Sequence, residues 1–281
     1  MSNLIGILSF LIIFLILIII YFSLFHGKDI ITSKKYNLEK DGLIVMKNIF
    51  KKGEITEWKN LCLKEKYKEL KQKILSNRRL DKIIKREIGE EYIFQDYILV
   101  IKKSAVHTCH RDYNGDFFND NQKQKSYTML IYLEDMPKCL GVVPTSHKDM
   151  NSFQFNLSDP VKHVVCKKGD IILFDANLIH VGSLNDKKDN LRIQLKITHK
   201  KDLEALSYYQ NYHKVLNEEN NLLWFITHTQ QKLSCMIPGL ADLTQKENIQ
   251  STKDKKNGLV QQWFSYLFYG NKNFYQLKNV F

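Results

Sequence analysis

His110 and Asp112 stand two residues apart, and His180 follows much later in the chain. Two imidazoles and one carboxylate form a donor set that holds a non-haem iron(II) on one face of its octahedron. The remaining positions stay open for other ligands, which is the catalytic feature of such a set. The bland alternative is three unrelated polar residues of a β domain, and a His-x-Asp triplet alone does not decide between them. Asn114-Gly115, just beyond Asp112, marks a turn that would let the imidazole and carboxylate aim at one point. Arg192, on the segment after His180, offers an anion anchor.

These residues need elements to hold them. Lys168-Gly169-Asp170 is a turn signal that launches the apolar run Ile171–Phe174. That run breaks at Asp175-Ala176-Asn177, and His180 opens the next strand-like segment. After a turn-rich stretch, Leu191-Arg192-Ile193-Gln194-Leu195-Lys196-Ile197 alternates as a strand does. Further strand patterns lie at 43–46, 92–101, 105–109, 127–133, 140–143 and 161–166. About eight short strands with turn-rich connectors predict an all-β barrel or sandwich rather than βαβ units. No glycine-rich loop follows a strand, which argues against a nucleotide fold. Residues 55–88 carry helical spacing (Trp58, Leu61, Cys62, Tyr67, Leu70, Ile74) with a break expected near Ser76-Asn77. Residues 114–125 and 150–159 read as loops and 203–216 as a helix. Residues 246–257 read as an exposed polar stretch, and Trp263–Tyr269 as an aromatic cluster in the core. Alternation sets His107 and Cys109 on one face and His110 on the other. His107 is therefore read as a neighbour or core residue, His147 as structural or substrate-lining, and His163 and His199 as strand residues.

The 281 residues carry a formal charge of +12, mostly from lysine. Such a surface suits nucleic acid, anionic lipid or acidic substrates, or simply reflects an AT-rich coding sequence, since Lys, Asn and Ile all abound. Five cysteines without a CxxC pair read as reduced, buried thiols. Leu4 to Phe25 is uncharged and predicts a transmembrane helix rather than a cleaved signal peptide. Lys28, Lys34, Lys35 and Lys40 follow it, which places the remainder in the cytosol as a single-pass membrane protein. The acceptor pattern Asn156-Leu157-Ser158 would matter only for a luminal domain. The expected organisation is an anchor at 1–27, a linker at 28–35, a core at 36–200 and a helical, aromatic extension at 201–281.

Five segments resemble the Fe(II)/2-oxoglutarate-dependent dioxygenases, in particular the phytanoyl-CoA dioxygenase-like branch, and they do so in the family's order. They are Glu39 to Phe50 with its Asp41-Gly42, then His110-Arg111-Asp112, then Gly141 to Lys148, then Lys168 to His180, then Asn185 with Arg192. Thr145 stands where that family usually has Gly, and Gln194 where Ser is common. The resemblance implies a mainly β fold with flanking helices: a double-stranded β-helix (jelly-roll, cupin-like) barrel, here preceded by the transmembrane helix. It implies that His110, Asp112 and His180 ligate Fe(II) and that Arg192 clamps the distal carboxylate of 2-oxoglutarate. A guanidinium does this with two parallel hydrogen bonds where lysine cannot. Tyr127 is expected to add a hydroxyl to that carboxylate, and ascorbate is the expected reductant.

The implied activity is hydroxylation of a lipid or other small organic substrate, with 2-oxoglutarate becoming succinate and carbon dioxide. Nucleic acid is not an expected partner, because no aromatic platforms interleave with a basic stripe in the barrel. The oligomeric state is open. Two other readings stand beside the enzyme. One is a catalytically inactive, membrane-tethered β-barrel binding module. The other is a metal-dependent cupin-type enzyme that uses no 2-oxoglutarate.

Overall fold

The structure, a computed structural model, describes residues 2–25, 30–96, 98–102, 107–112, 123–149, 161–183, 191–205, 222–237 and 259–271. The expected loop at 150–159, Asn185, the stretch 246–257, the acceptor at 156–158, and most of the 114–125 loop and the 203–216 helix lie outside the described residues.

Among the described residues, ten strands form two sheets. They are β1 (Ile30–Thr32), β2 (Leu43–Met46), β3 (Tyr92–Phe94), β4 (Leu99–Ile101), β5 (Tyr127–Tyr132), β6 (Met136–Val142), β7 (Lys162–Cys166), β8 (Ile171–Asp175), β9 (His180–Gly182) and β10 (Arg192–His199). The larger sheet runs β2-β8-β5-β10-β3, with β4 also paired to β10, and the smaller runs β1-β7-β6-β9. The smaller sheet is mixed, because β1 runs parallel to β7. Together they make a jelly-roll-like sandwich.

Strand alternation divides the core in two. From the large sheet, Met129, Ile131, Leu173, Ile193, Leu195 and Ile197 face outward into a layer of helices. Leu130, Tyr132, Ile172 and Phe174 face inward and meet Leu140, Val142 and Val164 of the small sheet. The outer layer is α3 (Lys52–Leu63), α4 (Tyr67–Leu75) and α5 (Arg78–Glu87), which seals the sheet with Trp58, Leu61, Leu70, Ile74, Leu80 and Ile84. The expected break at Ser76-Asn77 is present, and Asn77 caps α5 by accepting from Arg79 N and Leu80 N. A second break, at Glu65 with φ 56°, has no signal in residue type.

The segments that carried the family resemblance turn out to be mutual fittings. Asp170 accepts from Lys167 N at 2.9 Å and from Asn48 N at 3.0 Å, and Gly169 supplies the positive φ of 87° that this turn needs. Gly42 ends α2 (Leu38–Asp41) in the left-handed region, and a Cβ there would stand 2.6 Å from His147 Nδ1. His147 in turn donates to Glu39 O at 3.0 Å. Thr145 keeps the backbone of the glycine it replaces, at φ 74°, a conformation that costs a side-chain-bearing residue about 1–2 kcal/mol.

Three expectations need correction. First, among the described residues no helix is long and apolar enough to cross a membrane. In this region the helix α1 runs over Ser2–Phe25. α1 also packs against α6 (Trp224–Met236). The membrane anchor of the fold class, the contact through Leu4 to Phe25, the single-pass localisation and the cytosolic orientation drawn from it are therefore set aside. Second, the cysteines are not all reduced. Cys109 and Cys235 are paired with Cα atoms 4.8 Å apart, while Cys62, Cys139 and Cys166 are free and buried. Third, the aromatic cluster is not simply core. In α7 (Leu259–Tyr269) Tyr269 is buried, but Trp263 is 66% exposed, because only one face of this helix meets the sandwich.

Candidate metal centre

The two histidines are brought together by the backbone itself. His110 pairs with His180 as an isolated antiparallel bridge, and each N–H donates to the other's carbonyl at 2.9 Å. Their rings lie on one side, with centroids 4.4 Å apart. His180 reaches this place because the chain turns sharply after β8. Asp175 Oδ1 accepts from Asn177 N at 2.9 Å, and Leu178 N donates to Asp175 O at 2.8 Å.

Each imidazole has a fixed tautomer. Nδ1 of His110 donates to Thr108 O at 2.8 Å, and Nδ1 of His180 donates to Leu178 O at 2.9 Å. A carbonyl only accepts, so the proton sits on Nδ1 and the lone pair on Nε2 is free. Both Nε2 atoms face Asp112 Oδ1, at 3.8 Å from His110 and 3.6 Å from His180. The three donor atoms lie within 4.8 Å of one another. Donors on adjacent positions of a metal with ~2.1 Å bonds stand about 3 Å apart, so a closure of about 1–2 Å completes the site. The donor chemistry fits a divalent first-row metal: two neutral imidazoles and one anion, with the rest of the coordination sphere left to other ligands.

The electrostatics suit that use. Burial, against the pull of Asp112, lowers the His110 imidazole and brings His180 down to about 3, so both are neutral at physiological pH. Burial by itself would raise Asp112. The Lys196 ammonium and the two imidazoles outweigh it and hold the carboxyl well below the usual range. Phe174 closes one side of the centre, its ring 4.6 Å from that of His180.

Arg192 is buried on the inner face of β10, in register with Tyr132 of β5. The Tyr132 hydroxyl is buried and has no hydrogen-bond partner among the described residues. A guanidinium beside an unsatisfied phenol O–H is a donor pair shaped for a carboxylate. Tyr127 is not part of this arrangement. It lies five positions away on the same strand, so alternation turns it outward, where it packs against Tyr92 at 5.4 Å among the helices.

His107 and His163 are structural. His107 donates through Nε2 to Gln230 Oε1 at 2.8 Å, and His163 shares a hydrogen bond with Ser183. Arg111, between the two ligands, turns away and donates to Asp149 O at 2.9 Å. A cleft of about 700 Å³ along α3 and α4, edged by Lys52, Glu57 and Lys64, shares no residue with the triad. Reading the sequence alone missed Thr128, Tyr132 and Lys196. All three lie on inward-facing positions of β5 and β10, and the parity of Arg192 would have pointed to Lys196.

Several solved structures resemble this chain. EvdO2 from Micromonospora carbonacea var. aurantiaca has 11% identity and a TM-score of 0.47, over 61% of this chain and 94% of that one. SnoN, a non-haem α-ketoglutarate-dependent epimerase from nogalamycin biosynthesis, has 15% identity and a TM-score of 0.48, over 58% and 78%. HygX from Streptomyces hygroscopicus, in a form with nickel and 2-oxoglutarate bound, has 16% identity and a TM-score of 0.44, over 58% and 84%. At this level of likeness nothing about the chemistry of this chain follows from them. No curated protein matches the chain. The family model of phytanoyl-CoA dioxygenase matches residues 27–190, which includes His110, Asp112 and His180 and ends two residues before Arg192. With more than half of its length matched, this chain belongs to the phytanoyl-CoA dioxygenase family of non-haem iron and 2-oxoglutarate-dependent oxygenases.

Proposed function

We propose that the protein hydroxylates a small organic substrate, with His110, Asp112 and His180 holding Fe(II) and Arg192 holding 2-oxoglutarate. The observation that carries this reading is the convergence of two free Nε2 lone pairs and one carboxylate oxygen on a single point. With the anchor set aside, a lipid has no special claim among substrates.

When bound, iron and 2-oxoglutarate together supply the oxidant, and 2-oxoglutarate leaves as succinate and carbon dioxide. The protein supplies position and dryness. The Nδ1–H bonds to Thr108 O and Leu178 O keep both rings from rotating. Arg192 would hold the distal carboxylate of 2-oxoglutarate, and the buried Tyr132 O–H, rather than Tyr127, would donate to the same group. Leu130, Ile172 and Phe174 line the interior and exclude the water that would quench a reactive centre.

The test is succinate release from 2-oxoglutarate by the full chain with Fe(II) and ascorbate, beside His180→Ala and Arg192→Ala. Turnover lost in both variants is the expected result. Iron binding with turnover indifferent to Arg192 would favour a cupin-type enzyme without 2-oxoglutarate. Absence of both iron and 2-oxoglutarate binding would favour an inert binding module.

A further inference from the structure

The triad has an unusual neighbour. Lys196 lies on the inner face of β10, four residues beyond Arg192, and its side chain is only 16% exposed. Its Nζ stands 2.5 Å from Asp112 Oδ2 and donates to Thr128 Oγ1 at 2.9 Å. Thr128 Oγ1 donates in turn to the same Oδ2 at 2.6 Å. Two short donors therefore converge on one carboxylate oxygen, while the other, Oδ1, is the one facing both imidazoles.

We propose that Lys196, seated by Thr128, is a positioning residue that holds Asp112 to one-oxygen ligation of the metal. The proposal rests on the metal reading above. A carboxylate that offers both oxygens fills two of six positions. With two imidazoles and a chelating 2-oxo acid, the sphere would then be complete and no place would remain for oxygen. A carboxylate with Oδ2 withdrawn fills one position and leaves one open after the chelate has bound. Lysine suits the task because a protonated amine has no lone pair to compete for the metal. Its cost is a positive charge beside the ion, so the clamp weakens metal binding while keeping a position open.

That cost gives the test its sign. A merely structural lysine, once removed, would loosen the site and weaken metal binding. A clamp, once removed, returns the second oxygen and takes away a repelling charge. The full chain, stripped of metal, is titrated with Co(II) by visible absorption, beside Lys196→Met, Lys196→Arg and Thr128→Val. Lys196→Met is expected to bind Co(II) about tenfold tighter or more, Thr128→Val to shift the same way by less, and Lys196→Arg to stay close to the wild type. Nitric oxide then probes the open position on Fe(II) with 2-oxoglutarate present. Wild type gives the electron-paramagnetic signal of the nitrosyl adduct, and Lys196→Met loses most of it.

Unchanged or weaker Co(II) binding in Lys196→Met, with an intact nitrosyl signal, overturns the clamp. If that variant does not fold, Thr128→Val decides alone, and an unchanged affinity there overturns it too. Failure of the wild type itself to bind Co(II), with His180→Ala indifferent, would instead overturn the metal reading.

Discussion

The sandwich is covered on two sides by helices that do different work. Against the large sheet, α3, α4 and α5 present Trp58, Leu70, Ile74, Leu80 and Ile84, and the interface is almost wholly apolar. Against the metal-bearing segments, α6 and α7 bring hydrogen bonds. Ser234 Oγ accepts from Cys109 N at 2.8 Å, the Tyr269 hydroxyl meets Thr108 Oγ1 at 2.8 Å, and Gln231 donates to Gly182 O at 3.3 Å. The Cys109–Cys235 pair and a small apolar patch of Val161, Ile179 and Val181 accompany them. Apolar burial is strong but indifferent to direction, whereas a hydrogen bond fixes an atom's place. The difference suggests that one cover supplies stability and the other supplies position, since α6 and α7 bond residues directly adjoining His110 and the strand opened by His180.

The largest effect should come from the apolar cover. Leu70 is fully buried in α4, and Leu70→Ala is expected to cost about 2–5 kcal/mol. Urea unfolding should show the loss, while Co(II) affinity of the folded protein stays within about twofold, a free-energy change near the noise of such a titration. A large loss of metal affinity would break the division of labour.

Mild acid should act first on the other side. His180 titrates near 6.5 when unfolded and at about 3 when folded. Below pH 6.5 the unfolded chain therefore takes up a proton that the folded chain refuses. The stability His180 contributes is complete above pH 6.5 and drains as pH falls toward 3, by about 1.4 kcal/mol per unit. His110 is lowered for the same reason and adds to the slope. Asp112, also lowered, adds its own loss only below the ordinary carboxylate range. Melting of the metal-free protein between pH 7 and 5 should show a fall of about 2 kcal/mol. Replacing His180 with Asn should flatten that fall, and a slope unaffected by this change would remove His180 as its source.

The two covers also differ in how they can be read from sequence. Trp58, Leu61, Leu70 and Ile74 announce their helices because a buried apolar face leaves a three- and four-residue rhythm. α6 leaves none. Its buried side chains include Thr227, His228, Gln231, Lys232 and Ser234, types that otherwise signal a solvated surface. His110, Asp112 and His180 were legible by residue type. Their meeting was not, because it depends on a backbone bridge between segments some 70 positions apart. Sequence does not tell Tyr132 from Tyr127, because alternation marks two faces without saying which one closes on the interior, and in β5 both are buried. The same ambiguity hid Lys196. The apolar run at the N-terminus shows the converse: its composition suggests a membrane, whereas no described helix is long and apolar enough to cross one and α1 lies on α6.

The sharpest probe of the comparison is small in energy. Ser234 Oγ accepts from the buried N–H of Cys109, the residue before His110, and itself donates to Gln231 O at 2.9 Å. Ser234→Ala leaves that N–H unsatisfied at a cost of about 1–2 kcal/mol, less than Leu70→Ala. Its effect on the metal should be the greater of the two. The Cys109–Cys235 link still holds the segment to α6, but without this bond the backbone beside His110 can shift, and the ~0.5 Å tolerance of a preorganised site is easily exceeded. Co(II) affinity is expected to drop about tenfold, in the range of other lost outer contacts. Ser234→Thr, which keeps the hydroxyl, should recover most of it. Should Ser234→Ala and Leu70→Ala instead lower metal affinity only in proportion to the stability each removes, the two covers would be one cooperative shell.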